Sequence, residues 1–94
     1  MDSEKTNQAV NKYVHLLWWT EEIENNIKTE FGEDVYSTIK EIYLFAGHDL
    51  VWSSFDDLQA FSKILDKMKI KYPFLNNQAA IKIANMAAYF WKDC

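Results

Sequence analysis

The chain has 94 residues and a mass of 11.1 kDa; 49% of its residues are hydrophobic, 26% are charged, and the net charge is −4. A chain of this length has room for one hydrophobic core, so we expect a single helical domain over residues 1–94. The hydrophobic fraction excludes a disordered chain, and two glycines with one proline disfavour a turn-rich β-sandwich.

The first third of the chain predicts either one bent helix or two short helices within residues 3–31. Thr20, followed by Glu21 and Glu22, is typical of a helix N-terminus, where acidic side chains meet the positive end of the helix dipole. Gly32 is placed to end this segment in a left-handed conformation. Apolar residues recur at the helical spacing i, i+3, i+4, i+7, i+8, namely Val10, Tyr13, Val14, Leu17 and Trp18.

The middle of the chain predicts a helix that begins at Glu33 and ends at Gly47, with residues 47–49 as a loop. Its apolar positions follow one helix face: Val35, Ile39, Ile42, Tyr43 and Ala46. A β-hairpin over residues 42–52 is an alternative, because Ile42–Phe45 and Leu50–Trp52 are short apolar runs.

The last third predicts two further helices. Ser54 with Asp57 has the form of a capping box, and Pro73 limits the helix behind it. That helix is expected to be amphipathic, with its apolar stripe made of Phe55, Leu58, Phe61, Leu65 and Met68. Asn76 or Asn77 can cap a final helix that is apolar nearly all round, which favours a place in the middle of a bundle. The fold class is therefore all-α, a compact bundle of four to five helices.

Charge is unevenly distributed along the chain. Residues 1–57 contain twelve acidic residues and four lysines, a net charge of −8, whereas residues 58–94 contain two acidic residues and six lysines, a net charge of +4. The chain contains no arginine, the residue that best grips phosphate and guanine, which makes a sequence-specific nucleic-acid reader unexpected. The acidic part would attract a basic partner.

Residue patterns for catalysis, metal binding and cofactor binding are missing from the sequence. His15 and His48 lie far apart and Cys94 is the last residue, so no zinc-type spacing occurs. Ser53 and Ser54 lack a nucleophile-elbow motif, and the two glycines are isolated, so no phosphate-binding loop is expected. We therefore expect a non-enzymatic protein without a metal or cofactor.

Three lysines at i, i+4, i+8 share a helix face: Lys63, Lys67 and Lys71. Such a strip can bind nucleic acid or lipid headgroups, but opposite an apolar stripe it is more simply a solvated helix face.

Tryptophans flanked by carboxylates form two candidate contact clusters. Trp18 and Trp19 are adjacent, and neighbours on a helix point about 100° apart, so Trp19 is expected to reach the surface. Tryptophan anchors dominate protein interfaces, and acidic rims steer basic partners toward them. The predicted partner-binding residues are Trp19, Glu21, Glu22, Glu24, Asp49, Trp52, Asp56 and Asp57.

In its size, its acidic first two-thirds, its Trp-and-carboxylate clusters and its lack of a secretory signal, the chain resembles the small all-helical immunity proteins of bacterial toxin–immunity systems. This resemblance is one of type, without a shared motif. It implies a cytoplasmic inhibitor that holds one basic toxin domain, often a nuclease, inactive. Two alternatives stay open: a phage or plasmid regulator that binds another protein, and a nucleic-acid binder that uses the lysine strip. No apolar run is long enough to cross a membrane.

Overall fold

The computed structural model describes residues 3–14 and 20–93, the side chains of residues 3, 57 and 89–93 excepted. Within these residues the chain forms six helical segments and no strand. They are α1 (Ser3–Tyr13), α2 (Glu21–Phe31), α3 (Glu33–Gly47), the single turn α4 (Val51–Ser54), α5 (Asp57–Lys71) and α6 (Asn77–Asp93). The prediction of an all-α bundle is confirmed, and the hairpin over residues 42–52 is wrong because α3 runs to Gly47.

Local sequence signals set most helix boundaries. The Thr20 hydroxyl accepts a hydrogen bond from the Ile23 amide at 3.2 Å, and Asn76 Oδ1 accepts one from the Ala79 amide at 2.8 Å. Gly32 separates α2 from α3 with φ 96° and ψ 165°, a conformation open essentially only to glycine but not the left-handed helical one predicted. α5 is capped by Asp56, whose carboxylate accepts from the Gln59 amide at 2.9 Å. The capping box at Ser54 is wrong, since Ser54 belongs to α4.

The core lies where α3 and α6 pack together. α2 packs mainly on α3, whereas α5 packs mainly on α6 and α4. α6 buries nearly every described apolar side chain, as its composition predicts: Ala79, Ala80, Ile83, Ala84, Met86 and Ala87.

Asn7 joins α1 to the loop between α5 and α6. Its side-chain amide donates to the Phe74 carbonyl at 2.9 Å, and its Oδ1 accepts from the Asn76 amide at 3.0 Å. These two bonds fix the first helix against the start of the last one.

The orientation of α5 differs from its predicted amphipathic stripe. The buried positions are Ala60, Ile64 and Met68, while Phe61 and Leu65 are only half-buried and Leu58 is exposed. Since successive residues turn by about 100°, the buried face is rotated by about a quarter turn from the predicted one. Small Ala60 lets α5 approach its neighbours closely, and the larger Leu58 is left outside.

Candidate partner-binding surface

The first turn of α2 carries the largest group of predicted contact residues. Glu21 and Glu22 are exposed and form no ion pair with the residues that the structure describes. Glu24 follows in the same turn. Its Oε1 accepts a hydrogen bond from the Tyr36 hydroxyl at 3.2 Å and lies 3.4 Å from Lys40 Nζ. The hydrogen bond from Lys40 to Tyr36, and then the Glu24 carboxylate, raise the pKa of Lys40. Glu24 therefore joins α2 to α3, and Glu21 and Glu22 remain available to a partner.

Two further exposed carboxylates lie at the start of α3. Glu33 and Asp34 are exposed at the start of α3 and, among the described residues, also lack an ion pair. We call Glu21, Glu22, Glu33 and Asp34 the acidic face. Between residues 20 and 47 the chain contains seven acidic residues and two lysines. Because Glu24 reaches Tyr36 and Lys40 and Gly32 joins the two helices, α2 and α3 run antiparallel, so the face extends along this helix pair with one pair of carboxylates near each end.

Glu30 is acidic but not free, because it pairs with Lys12 of α1. The Lys12 ammonium lies 2.6 Å from Glu30 Oε1, and the Tyr13 hydroxyl donates to the same oxygen at 2.9 Å. Hydrogen bonding to Lys12, and then to Tyr13, lowers the pKa of Glu30; the same contact raises the pKa of Lys12. This exposed pair holds α1 against α2 and is not part of the acidic face.

Asp49 is engaged within the protein. Its carboxylate accepts from the Val51 amide at 3.0 Å, at the start of α4, and both of its oxygens lie 3.0 Å from Lys67 Nζ on α5. The Asp49 side chain is 13% exposed. Asp49 therefore fixes the α3–α4 loop onto α5, whereas Glu24 joins α2 to α3, so the two predicted carboxylate clusters are held by different elements.

Trp52 does not present its indole to solvent, so the prediction of a surface anchor at this position is wrong. Its side chain is 6% exposed, and its Nε1 donates to the Ala46 carbonyl at 2.7 Å. Ala46 lies in the last turn of α3, where carbonyls lack a partner within the helix, and the indole supplies one. Trp52 is thus a core residue that closes the end of α3.

Three predicted contact residues remain, and the structure describes the side chain of only one of them, Asp56. Asp56 is exposed and occupied as the N-cap of α5. Asp57 is the first residue of α5, but its side chain lies outside the described residues, and Trp19 lies outside them altogether.

The lysine strip of α5 makes contacts within the protein at each of its three positions. Lys67 pairs with Asp49, Lys63 Nζ lies 4.6 Å from the centroid of the Phe55 ring, and Lys71 Nζ lies 4.5 Å from that of Phe45. Near the end of the strip, burial and then the Glu41 carboxylate raise the pKa of the Tyr72 phenol. The strip is exposed, but its ammonium groups already have aromatic or carboxylate neighbours.

Exposed apolar residues at α4 and α5 were missed by the sequence analysis. Leu50, Phe55, Leu58 and Ile70 are all exposed, although Phe55 and Leu58 were expected on the buried side of their helix. The sequence contains a second apolar row in α5 at i, i+4, i+8, namely Ala60, Ile64 and Met68. If this row is buried, Phe55 and Leu58 are expected to be exposed.

Replacing Asp49 by alanine should destabilise the protein by about 1–2 kcal/mol, because the change removes both the Val51 bond and the pair with Lys67. The matched change Glu22→Ala should alter stability by no more than about 0.5 kcal/mol. Urea denaturation followed by circular dichroism measures both. Equal effects of the two changes would contradict the assignment of Asp49 to the fold and of Glu22 to a free surface.

The fold and surface together define an all-α protein with an acidic side at α2–α3 and a mixed-charge, partly apolar side at α4–α5. Comparison of the chain with protein-family models, with curated proteins and with solved structures finds no match. Within the described ranges, none of the helices has the length and hydropathy of a membrane span. Over the same residues, no three His, Cys, Asp or Glu side chains group closely enough to hold a metal ion.

Proposed function

We propose that the protein is a non-catalytic inhibitor that binds a basic partner through the acidic face. The observation that carries this proposal is the set of four exposed carboxylates at the start of α2 and α3 that lack ion pairs within the described residues, Glu21, Glu22, Glu33 and Asp34. Exposed carboxylates without internal partners are not neutralised within the protein, so their electrostatic field attracts an approaching positive surface.

In its most concrete form, the proposal is a cytoplasmic immunity protein that neutralises a bacterial toxin domain, a nuclease. A nuclease active site is a positively charged groove that holds phosphates, and an acidic helical face can cover it and accelerate association electrostatically. A regulator of phage or plasmid origin that binds a different basic protein would use the same face. Trp52 has no part in this proposal because its indole is buried.

Co-expression with the candidate toxin domain from the neighbouring reading frame tests the proposal. The wild-type chain should restore growth, and the double change Glu21→Lys/Glu22→Lys should slow association with the toxin domain at least tenfold at low salt. Glu4→Lys is the matched control, since Glu4 is also an exposed acid in the first turn of a helix. Association rates measured by surface plasmon resonance at two salt concentrations separate steering from unfolding, and circular dichroism checks the fold.

Two outcomes would contradict the proposal at different levels. Full protection by a folded Glu21→Lys/Glu22→Lys variant would show that the acidic face is not the contact surface. Salt-sensitive binding to nucleic acid that is lost in a Lys63→Gln/Lys67→Gln/Lys71→Gln variant would show instead that the protein acts through the lysine strip of α5.

A further inference from the structure

The surface formed by α4 and the outer side of α5, which we call the α5 face, concentrates the exposed apolar side chains of the protein. Of the six large hydrophobic residues exposed in the described part of the chain, four lie here: Leu50, Phe55, Leu58 and Ile70. Leu58 and Ile70 are 83% and 82% exposed, and Leu50 is 78% exposed. An apolar group of this kind on a small domain marks an interaction surface.

Two contacts place Leu50 and Phe55 alongside α5, and Leu58 and Ile70 lie on the exposed side of that helix. Lys63 reaches the Phe55 ring, and Lys67 pairs with Asp49, so the chain from Asp49 to Phe55 follows α5 in the opposite direction. Ile70 lies three residues after Lys67, on the same side of the helix, and Leu50 is the neighbour of Asp49, so both lie near that ion pair. An open groove of about 430 Å³ completes the surface; it is lined by Phe55, Gln59, Ser62, Lys63 and Asp66.

The charges of this surface decide which partner it fits. Residues 49–71 contain four aspartates and four lysines, so the segment has no net charge. A polyanion such as nucleic acid or an acidic membrane gains little from such a surface, and neither does a strongly basic protein. Aspartates predominate toward the start of the segment and lysines toward the end of α5. A second copy that runs in the opposite direction would therefore place its lysines opposite these aspartates.

We propose that the α5 face is the interface of a homodimer, in which α5 packs antiparallel against α5 of a second copy. In a dimer with two-fold symmetry both copies use the same surface, so if residue i of one copy contacts residue j of the other, residue j of the first also contacts residue i of the second. Such an interface requires a surface that is complementary to itself. When Leu58 of one copy lies level with Ile70 of the other, Asp66 lies level with Ser62 and next to Lys63 of the second copy. The two apolar residues, which border the exposed side of α5, then lie at the same level of the interface, and carboxylate meets ammonium.

The dimensions of the surface suit such an interface. α5 has 15 residues and is therefore about 22 Å long. A stable interface buries about 800 Å² per partner, roughly one seventh of the 5577 Å² that this chain exposes. The dimer proposal does not depend on the proposed function.

Sedimentation equilibrium of the full chain tests the interface. The wild-type protein should be a dimer at about 100 µM, while Leu58→Glu or Ile70→Glu should weaken dimerisation at least tenfold. Both side chains are more than four-fifths exposed, so the variants should keep their helical circular dichroism and unfolding midpoint. Ile81→Glu, an exposed apolar position on α6, is the matched control and should leave the dimer intact.

A charge exchange gives a second, more specific test. Lys63→Glu and Asp66→Lys each place like charges together across the interface and should weaken dimerisation roughly tenfold. The double variant Lys63→Glu/Asp66→Lys has the same net charge as the wild type and should regain most of the lost affinity.

A wild-type protein that stays monomeric up to about 1 mM, or a dimer unaffected by Leu58→Glu and Ile70→Glu, would overturn the proposal. A dimer that is lost in Glu21→Lys/Glu22→Lys and not in the α5 variants would show that the acidic face mediates self-association instead.

Discussion

Replacing Ile83 by alanine is expected to lower the free energy of unfolding by about 2–5 kcal/mol, the largest effect that we predict for an aliphatic side chain. Ile83 is completely buried on α6, the helix that packs on α1, α3 and α5. Truncation removes apolar contacts and leaves a cavity in a helix that packs on three others, which limits how far the core can collapse around it. For a domain of this size, whose total stability is about 5–10 kcal/mol, such a loss is large.

Ile81 provides the control on the same helix. It is 42% exposed, so Ile81→Ala should cost no more than about 1 kcal/mol. Urea denaturation of both variants, monitored by circular dichroism at the helix band, measures the difference. Similar losses for Ile81→Ala and Ile83→Ala would contradict the position of α6 at the centre of the bundle.

Trp52→Ala is expected to destabilise the protein by about 3–5 kcal/mol, and Trp52→Phe by about 1–3 kcal/mol. The alanine variant loses the packing of a buried indole as well as its hydrogen bond. The phenylalanine variant keeps most of the apolar volume but leaves the Ala46 carbonyl without the donor that lies 2.7 Å away. Thermal unfolding and urea denaturation measure both changes.

The pair of Trp52 variants also separates a structural role from a role in binding. Trp52→Phe should remain folded and bind the basic partner with wild-type affinity, because the indole does not reach the surface. Trp52→Ala should lose binding only in proportion to the fraction that unfolds. A folded Trp52→Phe variant with much weaker binding would show that the indole contacts the partner, contrary to its burial in the free protein.

The helical fold could be predicted because its signals are local. Thr20 and Asn76 cap helices where their side chains can reach a free amide, and Pro73 pushes Tyr72 out of the helical region, at φ −125° and ψ 67°. The nearly continuous apolar sequence of α6 likewise required a central position. Such features act over one or two helical turns, so no knowledge of the neighbouring helices was needed.

The candidate site was predicted less well because exposure is not a local property. Trp52 has the residue type and acidic neighbours of an interface anchor, but the end of α3 offers its indole both a carbonyl and a place in the core. Asp49 has the charge of a contact residue, but Lys67, 18 residues away in the sequence, lies within 3.0 Å of it. Glu21 and Glu22 keep their predicted exposure, and no lysine among the described residues pairs with either of them.

The sequence by itself determined the helical class, most helix ends and the separation of negative from positive charge along the chain. Only the tertiary structure decided which of two apolar rows of α5 is buried, which carboxylates keep their charge unpaired, and where the tryptophan at position 52 lies. The physical reason is that hydrogen bonding within a helix depends on neighbouring residues. Burial and ion pairing depend instead on which surfaces distant segments bring against one another.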